Sequence, residues 1–269
     1  MRTRAQEYFT MMIIHTLPAF NDNYLWLFHE QGSNDAYVVD PGDPAVVTAA
    51  LKRHSLKLNG ILITHHHADH TGGVESLVQD WQVPVYGPNS PHIPQVSHFF
   101  GDGETLTLSD SLALQAISVP GHTLDHIAWF TESDGQARLF CGDTLFAGGC
   151  GRMFEGDPAQ MHHSLSKLGQ LPGNTLVYCA HEYTLANLAF ALAVEPENKA
   201  LQTRWVDAQA IRKRAEPTVP TSIAVELETN PFLRCSEPTV KLAAEHESGQ
   251  TLSSAWQVFG AVRQWKDSF

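Results

Sequence analysis

"GILITHHHADHTGG", residues 60–73, decides how the rest of this chain is read. An apolar run leads into four histidines and one aspartate within positions 65–70. The run is short and fully apolar, as a buried strand is. Imidazole is the commonest side-chain ligand for metals. Alternate residues of an extended segment point the same way, so His65 and His67 can share one ion. Asp69 and His70 take a different heading and can serve a second. One segment cannot aim enough ligands to complete two coordination spheres, so partners are expected elsewhere.

Three later stretches supply them. "SVPGHT" places His122 after a strand-like run and a Pro-Gly turn, "LFCGDT" places Asp143 after the next, and "VYCAHEY" places His181 after another. Ligand sites in α/β sheets form at the carboxyl ends of strands. The set totals five histidines and two aspartates, enough for two ions. His65, His67 and His122 are expected on one ion, Asp69, His70 and His181 on the other, with Asp143 as the bridge. A solvated His-rich loop is the plain alternative for residues 65–70 alone, and the three ligands in register argue against it. His66 is expected to point away from its neighbours in a supporting role. His126 is expected as a hydrogen-bonded core residue, and His162 and His163 as helix-surface residues. Asp40, in "VVDPGD", either orients a ligand from behind or caps a turn.

The 269 residues allow one or two domains, and 43% hydrophobic with 17% charged residues is ordinary for a globular protein. Twenty-nine acidic against 17 basic residues give a net charge of −12, which disfavours a phosphate backbone and excludes nucleic acid as a general partner. Cys141, Cys150, Cys179 and Cys235 show no C-x-x-C spacing. They read as reduced thiols of a cytoplasmic protein. No run reaches the ~18 apolar residues of a membrane span. "MRTRAQEYFTMM" has no apolar stretch after its arginines, so residues 1–11 read as a dispensable extension and not as a secretory signal.

Short strands ("MIIHTL", "YLWLF", "AYVVD", "SLALQAISV", "IAWFT", "RLFCG", "TLVYCA") dominate as far as residue 180. Helices are expected over 44–54, with Asp43 as N-cap and Pro44 in the first turn, over 74–81, and over 157–171, with Asp157 as cap. After residue 184 every segment favours helix, punctuated by Pro196, Pro217, Pro231 and Pro238. The expected organisation is a catalytic α/β domain over 12–183 and an all-helical domain over 184–269.

"THHHADHTGG", "PGHT", "CGDTLF" and "AHEY" resemble the ordered motifs of the metallo-β-lactamase superfamily. Within it, "PAFNDNYLW", "AGGCGRMFEG", the helical C-terminal part and "VRQWK" resemble the glyoxalase II (hydroxyacylglutathione hydrolase) family. The resemblance implies an αββα sandwich of two mixed sheets flanked by helices, with a dinuclear site at one edge and a helical domain closing over glutathione. It implies substrate contacts at Arg152, Tyr183, Arg263 and Lys266. Those basic residues would otherwise read as surface charge, or as partners of a helix dipole. Phe154 stands where some relatives have a tyrosine that contacts glutathione. Asp125 replaces a small residue of the "GHTxxH" pattern.

The implied reaction is hydrolysis of S-lactoylglutathione to D-lactate and glutathione, the second step of methylglyoxal detoxification. A hydroxide bridging two metals, held between Asp69 and Asp143, attacks the thioester carbonyl. A thiol has a pKa of ~8.5, so the leaving group departs as an anion without a dedicated acid. Zinc, iron and manganese all suit the ligand set, with zinc the first choice. No obligate protein partner is expected. Among rival readings, β-lactam hydrolases often carry cysteine where Asp143 sits. Persulfide dioxygenases lack the complete second ligand group and the long helical tail. A non-catalytic metal-binding protein would not need an intact ligand set.

Overall fold

The computed structural model describes residues 10–269; residues 1–9, most of the expected N-terminal extension, lie outside the described residues. The first half comprises β1 (Met12–Ala19), β2 (Asn23–Glu30), β3 (Asp35–Val39), α1 (Pro44–His54), β4 (Lys57–Leu62), α2 (Ala68–Thr71), α3 (Val74–Trp81), β5 (Val85–Gly87) and β6 (His98–Phe99). Next come β7 (Thr105–Thr107), β8 (Ala113–Ser118), β9 (Ile127–Thr131), β10 (Arg138–Gly142), β11 (Leu145–Phe146), β12 (Gly149–Cys150), α4 (Pro158–Gly169) and β13 (Leu176–Cys179). The chain ends with α5 (Thr184–Val194), α6 (Lys199–Lys213), β14 (Thr221–Ser222), α7 (Ile223–Thr229), α8 (Pro238–Ser248) and α9 (Ala255–Ser268).

Two six-stranded sheets result, ordered β1-β2-β3-β4-β5-β6 and β14-β13-β10-β9-β8-β7, while β11 and β12 pair only with each other. The sequence of β2, "NYLWLFHE", shows why the sheets stack. Tyr24, Trp26 and Phe28 face the second sheet, where Phe28 stacks on Phe140 at 5.5 Å and Trp26 meets the edge of Tyr178 at 5.0 Å. Leu25 and Leu27 alternate to the other face and pack with Val47 and Leu51 of α1 and Val74 and Leu77 of α3. Both faces are therefore buried, which accounts for the unbroken apolar run.

The helix ends follow local chemistry. Asp43 accepts from the Ala45 amide at 2.9 Å and Pro44 opens α1, both as expected. Asp157 accepts from the Gln160 amide at 2.9 Å and starts α4, which buries Met161, Leu165 and Leu168. The C-terminal part is helical, with one addition. Thr221 and Ser222 form a short strand on the β13 edge before Ser222 caps α7. Val194, Phe232, Val258 and Phe259 share one continuous core with the two sheets.

Strand direction sets the position of the site. β3 and β4 are parallel, so Asp40 and His65 emerge at the same edge. β10 is parallel to β13, and β8 and β10 are both antiparallel to β9. Hence β8, β10 and β13 all point one way, and His122, Asp143 and His181 follow their carboxyl ends. The short strands β5, β6 and β7 carry no periodicity legible in two or three residues. Replacing the fully buried Phe140 by alanine should destabilise the protein by about 3–5 kcal/mol. The midpoint of urea unfolding checks this, with an unchanged midpoint counting against a shared inter-sheet core.

Candidate metal centre

Every sequence-predicted ligand reaches one edge of the sandwich. His67 Nδ1 lies 3.1 Å from His65 Nε2 and 3.0 Å from His122 Nε2. A tetrahedral ion with bonds of about 2.0 Å holds neighbouring nitrogens about 3.3 Å apart. Beside this trio, Asp69 Oδ2 lies 3.4 Å from both His70 Nε2 and His181 Nε2. Asp143 stands between the groups. Its Oδ2 is 3.4 Å from His122 Nε2, and its Oδ1 is 3.4 Å from the Nε2 atoms of His70 and His181.

The hydrogen bonds behind the rings fix which nitrogens carry lone pairs. The Nδ1 of His122 donates to the Arg152 carbonyl at 2.7 Å. The Nδ1 of His70 donates to Asp40 Oδ2 at 2.9 Å, and that of His181 to Asp22 Oδ1 at 2.8 Å. Thr64 Oγ1 gives its proton to Asp40 Oδ2 at 2.7 Å and so accepts from His65 Nδ1 at 3.0 Å. In each neutral ring the Nε2 is therefore a bare acceptor aimed inward. Among the described residues, His70 Nε2 and Asp143 Oδ1 are buried without a hydrogen-bond partner. Two acceptors facing each other at 3.4 Å are relieved by a proton on the ring or by a cation between them, and the residues fit a pair of divalent ions.

The electrostatics agree. Burial pushes His65 well below the usual histidine range, and burial with the nearby His66 charge lowers His67. Burial opposes charge on His70 too, but the Asp143 and Asp40 carboxylates outweigh it and push His70 up. Burial is likewise overcome at His181 by the facing Asp143 and Asp69 carboxylates, which raise it to about 10. The same negative charge that draws protons onto these two rings favours a bound cation, which displaces them.

Asp40 also binds the Thr64 amide at 2.8 Å, so one carboxylate orients both His65 and His70. A closely spaced third group, Asp40 with His65 and His70, is this supporting layer and not another ion site. His66 points away, with its Nδ1 3.0 Å from Asp125. His126 is fully buried. Its Nε2 accepts from the Asp143 amide at 3.1 Å and burial holds its pKa down at about 3. Gly142 adopts φ +48, and a Cβ there would fall 2.4 Å from Thr64 Oγ1, so glycine lets Asp143 approach the His65 strand. His162 is half-buried and His163 exposed on α4.

A cavity of about 790 Å³ opens beside the ligands, lined by Arg152, Phe154, Tyr183, Arg263 and Lys266 among others. Tyr183 stacks parallel to the His181 ring at 4.7 Å. Phe154 is 64% exposed and sets its edge against His67 and His122. Lys266 sits over the Phe190 ring at 5.0 Å. Arg263 is buried, donating to the Cys150 carbonyl at 3.2 Å and to Asp267 at 2.9 Å. Nothing in the spacing of "NDNY" assigns a role to Asp22 or Asn23. Asp22 holds His181, and Asn23 donates to Asp69 Oδ2 at 2.9 Å. Asp267, likewise silent in the sequence, lies 3.7 Å from Arg152 as well.

Two groups of residues able to hold a metal, with Asp143 between them at the edge of an αββα sandwich, are what a metal-dependent hydrolase of the metallo-β-lactamase superfamily presents. Residues 22–181 match the model of that superfamily, and residues 182–269 match the model of the hydroxyacylglutathione hydrolase C-terminus. A hydroxyacylglutathione hydrolase of Pseudomonas aeruginosa (strain LESB58) is 51% identical over 260 residues, covering 96% of this chain and 100% of that one. One of Alkalilimnicola ehrlichii is 53% identical over 258 residues, covering 96% and 99%. The chain belongs to the hydroxyacylglutathione hydrolase family. Among solved structures, TTHA1623 in a di-iron-bound form is similar at TM-score 0.58 and 25% identity, covering 82% of this chain and 100% of that one. ETHE1 from Myxococcus xanthus is similar in fold at TM-score 0.63 and 24% identity, covering 95% and 99%.

Asp40→Ala should weaken metal retention by about 10–100-fold, because it frees two ligand rings at once. Competition against a chromophoric chelator measures this. A wild-type competition curve would reduce Asp40 to a turn residue.

Proposed function

We propose that this protein hydrolyses S-lactoylglutathione, and related S-2-hydroxyacyl thioesters of glutathione, to the hydroxy acid and free glutathione. The observation that carries the reading is the adjacency of two ligand trios to a cavity lined by Arg152 and Lys266 in a chain of net charge −12. Support also comes from curated relatives named hydroxyacylglutathione hydrolase that align with 96% of this chain.

We assign His65, His67 and His122 to one ion, Asp69, His70 and His181 to the other, and Asp143 to both. Zinc is the first choice, with iron and manganese compatible with the same donors. When bound, such a pair supplies hydroxide near neutral pH and polarises a carbonyl oxygen. The protein's own part is to orient and to bind. Asp69 and Asp143 present carboxylate oxygens where the nucleophile forms, and Asn23 fixes Asp69. Tyr183 and Phe154 line the cavity beside the ligand rings. No acid is required for departure, since a thiolate leaves unprotonated. We further assign residues 184–269 to substrate binding, with Arg152, Tyr183, Arg263 and Lys266 as contacts, and place the protein in the cytoplasm, where its four unpaired cysteines suit a reducing setting. Among the described residues no helix is long and apolar enough to cross a membrane.

Steady-state hydrolysis of S-lactoylglutathione, with metal analysis on the same preparation, tests the assignment. His67→Ala should lose both thioesterase activity and bound metal; full activity in that variant rejects it. Lys266 supplies a second test. Burial, followed by the Arg263 charge, lowers its pKa to about 8. Its positive charge is present at pH 7 and lost as pH rises through about 8, while substrate carboxylates stay ionised. KM should therefore climb between pH 7 and 9 with kcat less affected, and Lys266→Met should raise KM at pH 7 and flatten that climb. An identical climb in the variant removes Lys266 from substrate binding.

A further inference from the structure

The strands β11 and β12 pair only with each other, so the outer edges of this hairpin have no neighbouring strand. Buried backbone groups must nevertheless be satisfied. Side chains from the C-terminal helices do this at five consecutive residues. Asn230 Nδ2 donates to the Phe146 carbonyl at 3.3 Å and to the Gly149 carbonyl at 2.9 Å. Asn187 Nδ2 donates to the Ala147 carbonyl at 3.1 Å. Glu226 Oε2 accepts from the Gly148 amide at 2.8 Å, and Arg263 reaches the Cys150 carbonyl. Gly149 has no room for a Cβ, which would lie 2.5 Å from the Asn187 side chain.

Glu226 anchors the group. It is fully buried, pairs with Arg204, and accepts from Thr221 Oγ1 at 2.7 Å and Asn230 Nδ2 at 2.9 Å. Removing one partner of such a pair strands a charge in the interior. The hairpin it grips begins two residues after Asp143. It runs out through Gly151 to Arg152, whose carbonyl holds His122 Nδ1. Phe146 also sets its ring edge against His181 and Tyr183.

We propose that Glu226, with Asn230 and Asn187, forms a positioning clamp through which the C-terminal helices aim Asp143 and His122 at the metal pair. The C-terminal region would then govern the metal centre itself as well as the substrate assigned to it under the proposed function. A purely structural role predicts lower stability and nothing else. The clamp predicts a change at the metals.

The test compares wild type with Glu226→Gln and Asn187→Ala, each loaded with cobalt(II) in place of the native metal. The visible absorption spectrum and cobalt retention against a chelator are read alongside thermal melting. Both readouts are independent of any thioester, so they stand even if S-lactoylglutathione proves not to be the substrate. The expected result is an altered spectrum and retention lowered by about tenfold, within the range of effects seen for groups that orient metal ligands. On S-lactoylglutathione, kcat should fall with KM within a factor of about two, opposite to the expectation for Lys266→Met. Wild-type spectra and retention in both variants, with only a lowered melting temperature, would overturn the clamp. Asn187→Ala withdraws one neutral contact and keeps the Glu226 pair, so it decides the matter if Glu226→Gln does not fold.

Discussion

The arrangement turns on one electrostatic constraint, a cluster of inward-facing carboxylate oxygens and imidazole nitrogens that only a cation or protonation of the rings relieves. Asp143 Oδ1 lies 3.4 Å from the Nε2 atoms of both His70 and His181, and all three residues are buried. The alternative to a cation is protonation of the rings, which their raised pKa values express. The supporting hydrogen bonds select between these states in advance. At His65, His70, His122 and His181 the Nδ1 proton is committed to an oxygen behind the ring, of Thr64, Asp40, the Arg152 carbonyl and Asp22 in turn, whereas His67 turns its Nδ1 inward. A ring so committed can bind a cation at Nε2 without reorganising. The fold serves this by ending parallel strands at one edge.

Much of this was legible in the sequence because metal ligation is a local demand with a strict residue code. The ligands sit directly after strand-like runs, so finding the runs located the ligands. The N-caps of α1 and α4 were legible for a similar reason, since Asp-Pro chemistry acts within one turn. Asp40 was readable only as two alternatives. Its residue type and place after β3 suit both a turn and a ligand partner; in the fold its side chain holds His70 directly and His65 through Thr64, with no turn amide among its partners.

What escaped the sequence depends on distant chain approach. Asp22 lies 159 residues from the histidine it holds, and no spacing rule connects them. Arg263 was expected as a substrate contact from its place in "VRQWK". The structure buries its guanidinium against the Cys150 carbonyl, Asp267 and the Phe232 ring, although it still borders the cavity. Residue type and position gave the charge, but only packing shows how much of it is already engaged. The same holds for Glu226, which in sequence is one of two glutamates in "IAVELET" and in the fold is fully buried while Val225 and Leu227 are exposed.

The boundary near residue 184 is sharp in composition yet blurred in physics. β14 extends the second sheet, and Phe232 and Phe259 sit in the same core as Trp129 and Phe140. A helical appendage that only closed over substrate would need neither feature, and its interface would resemble a mobile contact between domains. A shared apolar core instead fixes α5, α7 and α9 relative to the metal edge. That rigidity has a chemical use. If Lys266 and Tyr183 hold substrate as proposed, fixing them before it arrives spares the cost of ordering them afterwards. The cavity between them is therefore best regarded as a preformed joint product of both halves of the chain.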